Sequence, residues 1–282
     1  MENPGKKTDR LMPELPEVET LRRVLVTLIC GKRLEKIQFN RPDLRFPIPR
    51  KKIAQEIKGK LLSDISRKGK YLLFHFPSGA MLLHLGMSGR MVQSNQMESF
   101  EAHTHVVFHF LPDVFLHFID PRRFGSILWV PKGKGHPLLD HLGPDPFEPG
   151  TNPQFMKLSS ARCKGPIKGF LMNAKRLAGV GNIYACEALF RARVHPDRPA
   201  NRLGLNTWAT LLTELRKTLE KSIASGGTTL RDFFNPEGKA GYFALELSVY
   251  GREGKPCYSC QTPVRRKVRS ARSTFYCSNC QK

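Results

Sequence analysis

Between residues 17 and 30 the apolar positions Val18, Leu21, Val24, Leu25, Leu28 and Ile29 recur at steps of three and four, which predicts a helix with one apolar face. Pro16 suits its first turn, and Glu17 and Glu19 lie where the helix dipole favours negative charge. The period then shortens. Tyr71–Phe76, Ala80–Leu85, His105–Phe110, Val114–Ile119 and Ser126–Val130 read as strands, with Leu111-Pro112-Asp113 bending a hairpin between Val106 and Phe118. Their short connections predict an antiparallel sandwich. Residues 91–102 are polar and show no period. A stretch rich in proline and glycine, 133–153, reads as a linker. Beyond it the pattern is helical. A short helix from Asn182 carries Ile183, Cys186, Leu189 and Phe190. A longer stripe of Trp208, Leu211, Leu212, Leu215, Leu219 and Ile223 stops at Gly226-Gly227. The break at Arg193–Pro199 between them gives a helix–turn–helix with an atypical turn.

The last segment changes the picture. Cys257-Tyr-Ser-Cys260 and Cys277-Ser-Asn-Cys280 are two C-x-x-C pairs, and the sixteen residues between them suit two short strands and a turn. Four thiolates on two tight turns make a tetrahedral set, the preferred site of one structural zinc ion with no position left open for chemistry. Two disulfides are the alternative, but they require an oxidising compartment, and the first eleven residues lack the apolar core of a secretory signal. Arg265, Arg266, Lys267, Arg269 and Arg272 crowd the predicted hairpin, and guanidinium groups suit phosphate oxygens. The expected class is α+β in two domains. Residues 12–132 form an N-terminal antiparallel β-sandwich with a leading helix. Residues 154–256 form a helical domain, and 257–282 a zinc β-hairpin.

Charge narrows the partner. The 282 residues carry 46 Lys+Arg against 24 Asp+Glu, a formal net charge of +22, which marks a binder of polyanions. A membrane is the weaker reading, because no apolar run approaches the ~18 residues of a spanning helix and no lipidation box is present. Nucleic acid remains. Gly179-Val180-Gly181-Asn182 before the short helix allows close backbone approach, and Asn182 offers an amide to a phosphate.

Met12-Pro13-Glu14-Leu15-Pro16-Glu17-Val18-Glu19-Thr20 resembles the start of the formamidopyrimidine-DNA glycosylase family. The likeness continues in the family's order through Lys70-Tyr71-Leu72-Leu73, His84–Gly89, Asp120-Pro121-Arg122-Arg123-Phe124-Gly125, Leu142–Pro146, Gly179–Ala185, Gly226–Phe233 and Arg272–Cys277. The fold it implies is a sandwich followed by a helix–two-turn–helix domain. The implied activity is that of a bifunctional DNA glycosylase/AP lyase of base excision repair, acting on 8-oxoguanine and formamidopyrimidines in double-stranded DNA as a monomer in the bacterial cytoplasm. A secondary amine on Pro13 attacks the sugar C1′, and the iminium formed then drives β- and δ-elimination. By the same resemblance Glu14 is expected to be the acid, Lys70 to assist β-elimination, Arg272 to act on phosphate in δ-elimination, and Glu17 to support the site. Met87, Arg122 and Phe124 fill the hole left by the extruded base, with Arg122 facing the orphaned cytosine. His103, Arg122, Lys168, Asn182 and Arg272 contact phosphate, and residues 228–243 close over the base.

Three departures stand out. Pro13 follows eleven residues and Met12, and its nitrogen is an amide until that stretch is absent; the expectation is a start at Met12 with the methionine removed. Asn173 replaces the usual Asp of the family, and Cys163 falls close to an expected DNA-contacting lysine. Two alternatives are the same fold acting on oxidised pyrimidines and a non-catalytic zinc-finger DNA-binding protein.

Overall fold

The computed structural model describes residues 13–98, 101–226 and 247–282. Helix α1 (Leu15–Ile29) opens the chain, followed by β1 (Leu34–Phe39), α2 (Arg50–Ile57), β2 (Asp64–Lys68), β3 (Tyr71–Phe76) and β4 (Gly79–His84). Strands β5 (Arg90–Ser94), β6 (Thr104–Phe110), β7 (Val114–Ile119) and β8 (Ser126–Pro131) complete two four-stranded sheets, ordered β1-β6-β7-β5 and β2-β3-β4-β8. Every pairing within them is antiparallel. Between the sheets lie Phe74, Phe108, Phe110 and Phe118, each at most 2% exposed and each worth roughly 2–3 kcal/mol of burial.

The sandwich and its leading helix match the periodicity. Strand β4 is buried on both faces. Met81 and Leu83 face the main core, whereas Leu82 packs with Val130 and with Leu139 of α3 (Pro137–Asp140). The proline-rich stretch therefore covers the back of a sheet. It is also tied down: Arg216 donates to the carbonyls of Pro146 at 2.7 Å and Thr151 at 2.6 Å.

Helices α4 (Pro153–Ser160), α5 (Ile167–Leu171), α6 (Asn182–Arg191) and α7 (Leu205–Ala224) surround a second core centred on Tyr184 and Trp208. The terminal hairpin pairs β9 (Arg265–Arg269) with β10 (Arg272–Tyr276), and Phe275 and Val264 pack on Cys186 and Phe190 of α6. Helix α1 serves both bodies. Leu15 belongs to the helical core, whereas Val18, Leu21, Leu25 and Ile29 belong to the sandwich.

Candidate active site and nucleic-acid interface

Glu14 caps α1 where the two bodies meet. Its carboxyl is 3% exposed, and Oε1 accepts the Ile183 amide at 3.1 Å, one of the free N–H groups in the first turn of α6. Gly181 makes this approach possible: a Cβ there would stand 2.0 Å from the Glu14 carboxyl carbon. Burial raises the Glu14 pKa to about 7, helped by the neighbouring Glu17 and opposed by Lys70 and by the Ile183 and Tyr184 amides. At neutral pH the group is thus poised to give or take a proton. Glu14 Oε2 is buried without a hydrogen-bond partner among the described residues. Pro13, immediately before it, is buried as well.

Glu17 orients this end of the helix. Its Oε2 accepts the Glu14 amide at 2.9 Å, and its Oε1 accepts the Tyr184 hydroxyl at 2.7 Å. Tyr184 also bonds Ser222 of α7 at 2.6 Å. Neither Tyr184 nor Ser222 was visible as a site residue in the sequence, since each reads as one more helical position.

Lys70 sits in the β2–β3 turn. The preceding Gly69, at φ +59°, lets that turn pack on the helical body, where a Cβ would meet Ala178 at 3.3 Å. Its charge acts on Glu14 and also on His84 at the end of β4. Burial, with Lys70 and Arg45, lowers the His84 pKa to about 4, so the neutral ring accepts the Gly86 amide at Nδ1, 3.0 Å.

Gly86 begins the loop that bears Met87. It lies flat on the second loop: a Cβ on Gly86 would come within 2.4 Å of the Phe124 carbonyl carbon. Phe124 is 44% exposed, and the Arg122 guanidinium lies 4.9 Å from its ring centroid. Met87, Arg122 and Phe124 therefore stand on two interlocked turns, not in the sandwich core. His103 occupies a third exposed turn, at φ +68°.

The helical body contributes side chains that reach the terminal hairpin. Lys168 is 6% exposed, and its Nζ donates to the Ser273 carbonyl at 3.1 Å and the Thr274 hydroxyl at 2.8 Å. Burial pushes its pKa down. Lys168 thus fastens the hairpin to α5. Asn182 likewise donates Nδ2 to the Ser273 carbonyl at 3.0 Å, while its Oδ1 is buried without a partner among the described residues. Next to Ser273, Arg272 is exposed at the hairpin tip. Lys168, Asn173, Arg269 and Arg272 line a cavity of about 340 Å³ between α5 and the hairpin. Asn173 uses its side-chain oxygen locally, accepting the Lys175 amide at 3.0 Å.

The sulfur atoms of Cys257, Cys260, Cys277 and Cys280 lie within 4.8 Å of one another, a set able to hold a metal ion. The expected closing segment, 228–243, lies outside the described residues. No helix among the described residues is long and apolar enough to cross a membrane.

Comparison with known proteins agrees with this layout. Residues 12–127 match the formamidopyrimidine-DNA glycosylase N-terminal domain, and residues 142–234 match the H2TH domain of the same family. A formamidopyrimidine-DNA glycosylase of Acidithiobacillus ferrooxidans is 44% identical over 271 residues, covering 96% of this chain and all of the relative. The crystal structure of MutM (Fpg) from Thermus thermophilus superposes with a TM-score of 0.83 at 37% identity, covering 95% of this chain and 98% of that one. A Lactococcus lactis Fpg mutant bound to Fapy-dG-containing DNA superposes at 0.87 with 30% identity, covering 96% of this chain and 100% of that one.

Proposed function

The chain belongs to the formamidopyrimidine-DNA glycosylase family, and we propose that it excises oxidised purines from duplex DNA and then cleaves the strand as an AP lyase. The observation that carries this reading is the buried Glu14 carboxyl, seated on the Ile183 amide beside Pro13. With residues 1–12 absent, Pro13 bears a secondary amine. Its nitrogen adds to C1′ of the damaged nucleoside as the bond from C1′ to the base breaks, and the proton the nitrogen loses leaves with the base. The nitrogen lone pair then breaks the C1′–O4′ bond, O4′ takes a proton from Glu14, and an iminium results. That cation acidifies the C2′ hydrogen, so elimination expels the 3′ phosphate and a second elimination expels the 5′ phosphate. Glu14 exchanges the protons, Lys70 assists the first elimination, and Arg272 stabilises phosphate charge.

Met87, Arg122 and Phe124 enter the stack as the lesion rotates out, a step that costs a few kcal/mol and is offset by contacts to the bent duplex. His103, Arg122, Lys168, Asn182 and Arg272 bind phosphates, Lys168 with the N–H left over from its two bonds to the hairpin. Lys168 supports Arg272 from behind, through its hydrogen bonds to the hairpin strand. The four cysteines hold one zinc ion. A tetrahedron with Zn–S bonds of ~2.3 Å has edges of about 3.8 Å; the sulfurs lie 3.9 Å apart for Cys257–Cys280 and 3.4 Å for Cys260–Cys277, with all four within 4.8 Å of one another. The ion fixes the hairpin and takes no part in the chemistry. The enzyme acts as a monomer.

Borohydride trapping tests the mechanism. A protein beginning at Pro13 is expected to form a covalent adduct with an 8-oxoguanine:cytosine duplex, and the chain still carrying residues 1–12 is expected to form none. Adducts of equal yield from both refute a role for the Pro13 nitrogen. Faster excision of oxidised pyrimidines than of 8-oxoguanine refutes the purine assignment.

A further inference from the structure

Asp120, at the end of β7, is fully buried and uses nearly every polar atom it has. Its Oδ1 accepts the Ser88 hydroxyl at 2.6 Å, and its Oδ2 accepts the Gly125 amide at 2.7 Å. The backbone N–H donates to the His103 carbonyl at 3.1 Å, and the backbone carbonyl accepts from His105 Nε2 at 2.8 Å. Ser88 Oγ in turn accepts the Arg122 amide at 3.2 Å. One side chain thereby joins the loop carrying Met87 to the loop carrying Arg122 and Phe124, and its backbone holds the His103 turn beside them.

We infer that Asp120, acting through Ser88 and Gly125, is the positioning residue that sets Met87, Arg122 and Phe124 as a single rigid plug and so governs recognition of the base opposite the lesion. The inference rests on the proposed plug role of those three residues. Loop tips pushed between stacked bases must resist the return of the displaced nucleotide, and two independent loops would yield separately. Short hydrogen bonds to a carboxylate are about twice as strong as neutral ones, and burial makes them costly to break. The Ser88 bond carries the coupling, because the same oxygen that donates to Asp120 receives the Arg122 backbone. Without it, the guanidinium keeps its charge but loses its fixed approach to the orphaned base.

The test uses protein beginning at Pro13 and compares kcat/KM for 8-oxoguanine opposite cytosine with that opposite adenine. The ratio cancels any uniform loss of active protein, which a merely structural role would produce. Ser88→Ala is expected to lower the cytosine-to-adenine ratio about tenfold, the scale of one charge-assisted hydrogen bond. Ser88→Thr, which keeps the hydroxyl, is expected to restore it, and Asp120→Asn to lower it as Ser88→Ala does. Arg122→Ala sets the floor. An unchanged ratio in Arg122→Ala refutes the plug reading itself. A ratio that collapses in Arg122→Ala but stays at the wild-type value in Ser88→Ala overturns the role of Asp120. Should Asp120→Asn fail to fold, Ser88→Ala decides alone, since it removes a single oxygen.

Discussion

Replacing Glu14 by Gln should make the protein more stable and far less active, and the gain should depend on pH. In the unfolded chain this carboxyl titrates near 4.5, and in the fold burial holds it at about 7. Between those values the folded state binds the extra proton, so wild-type stability falls as pH rises through the window, and the loss is complete above it. At about 1.4 kcal/mol per pH unit, the interval from 4.5 to about 7 corresponds to about 3 kcal/mol. Gln keeps an oxygen for the Ile183 amide but never ionises. Glu14→Gln should match the wild type near pH 4.5, to within the small cost of the new N–H₂ group. It should exceed the wild type by about 2–3 kcal/mol near pH 8. The assay is urea unfolding followed by the fluorescence of the protein's two tryptophans, of which Trp208 lies in the core that Leu15 joins. The full 282-residue chain is the right material, because its Pro13 nitrogen is an amide and adds no titration of its own. Excision by the Pro13-start variant should fall by at least ~10². A stability difference that stays flat between those pH values would show that the carboxyl is not held protonated, and the case for Glu14 as the acid would go with it.

Further outcomes can be checked in parallel. Chelation should release about one zinc per chain and abolish DNA retention while the sandwich keeps its strand signal, and Cys277→Ser should do the same; DNA binding that survives metal loss contradicts a structural ion. Arg67 joins Glu19 at 2.9 Å and Asp145 at 2.6 Å with only 10% of its side chain exposed, so Arg67→Ala should cost about 3 kcal/mol or more, and a loss below about 1 kcal/mol would assign the pairs no net role. Although burial opposes it, hydrogen bonds from Arg22, Arg67 and Arg23 hold Glu19 down to about 2. The stability those pairs supply should therefore be present above pH 4.5 and fade as pH falls toward about 2. Neutralising about six phosphates predicts a slope of roughly −5 for log affinity against log salt, and a slope near zero would exclude phosphate-dominated binding.

The strands legible in the sequence are those with several buried positions. Strand β3 alternates Leu72, Phe74 and Phe76 inward, and β6 and β7 are buried along most of their length. The three strands that gave no period, β1, β2 and β5, are all sheet edges, and each buries a single residue: Leu34, Ile65 and Met91. One apolar residue cannot display a period. Helix α2 escaped for a similar reason, burying only Ile53 and Ile57 among charged neighbours. The paired cysteines were legible because metal geometry imposes a local spacing. The Glu14 environment was not, because Ile183, Glu17 and Tyr184 converge on it across as many as 169 positions. Lys168 showed the limit most clearly. The family resemblance gives it a phosphate, and only the fold reveals that two of its three N–H groups hold the Ser273 carbonyl and the Thr274 hydroxyl.

Helix α1 is rooted at one end in the helical core through Leu15 and along the rest of its length in the sandwich. Glu14, the proposed general acid, therefore sits at the end of a helix gripped by both halves of the molecule. Rotation of one half against the other would load α1 between its two cores, at the end where the Ile183 amide seats the Glu14 carboxyl. Substitutions remote from DNA that loosen either grip should therefore reach the Glu14 carboxyl and shift the pH dependence of excision.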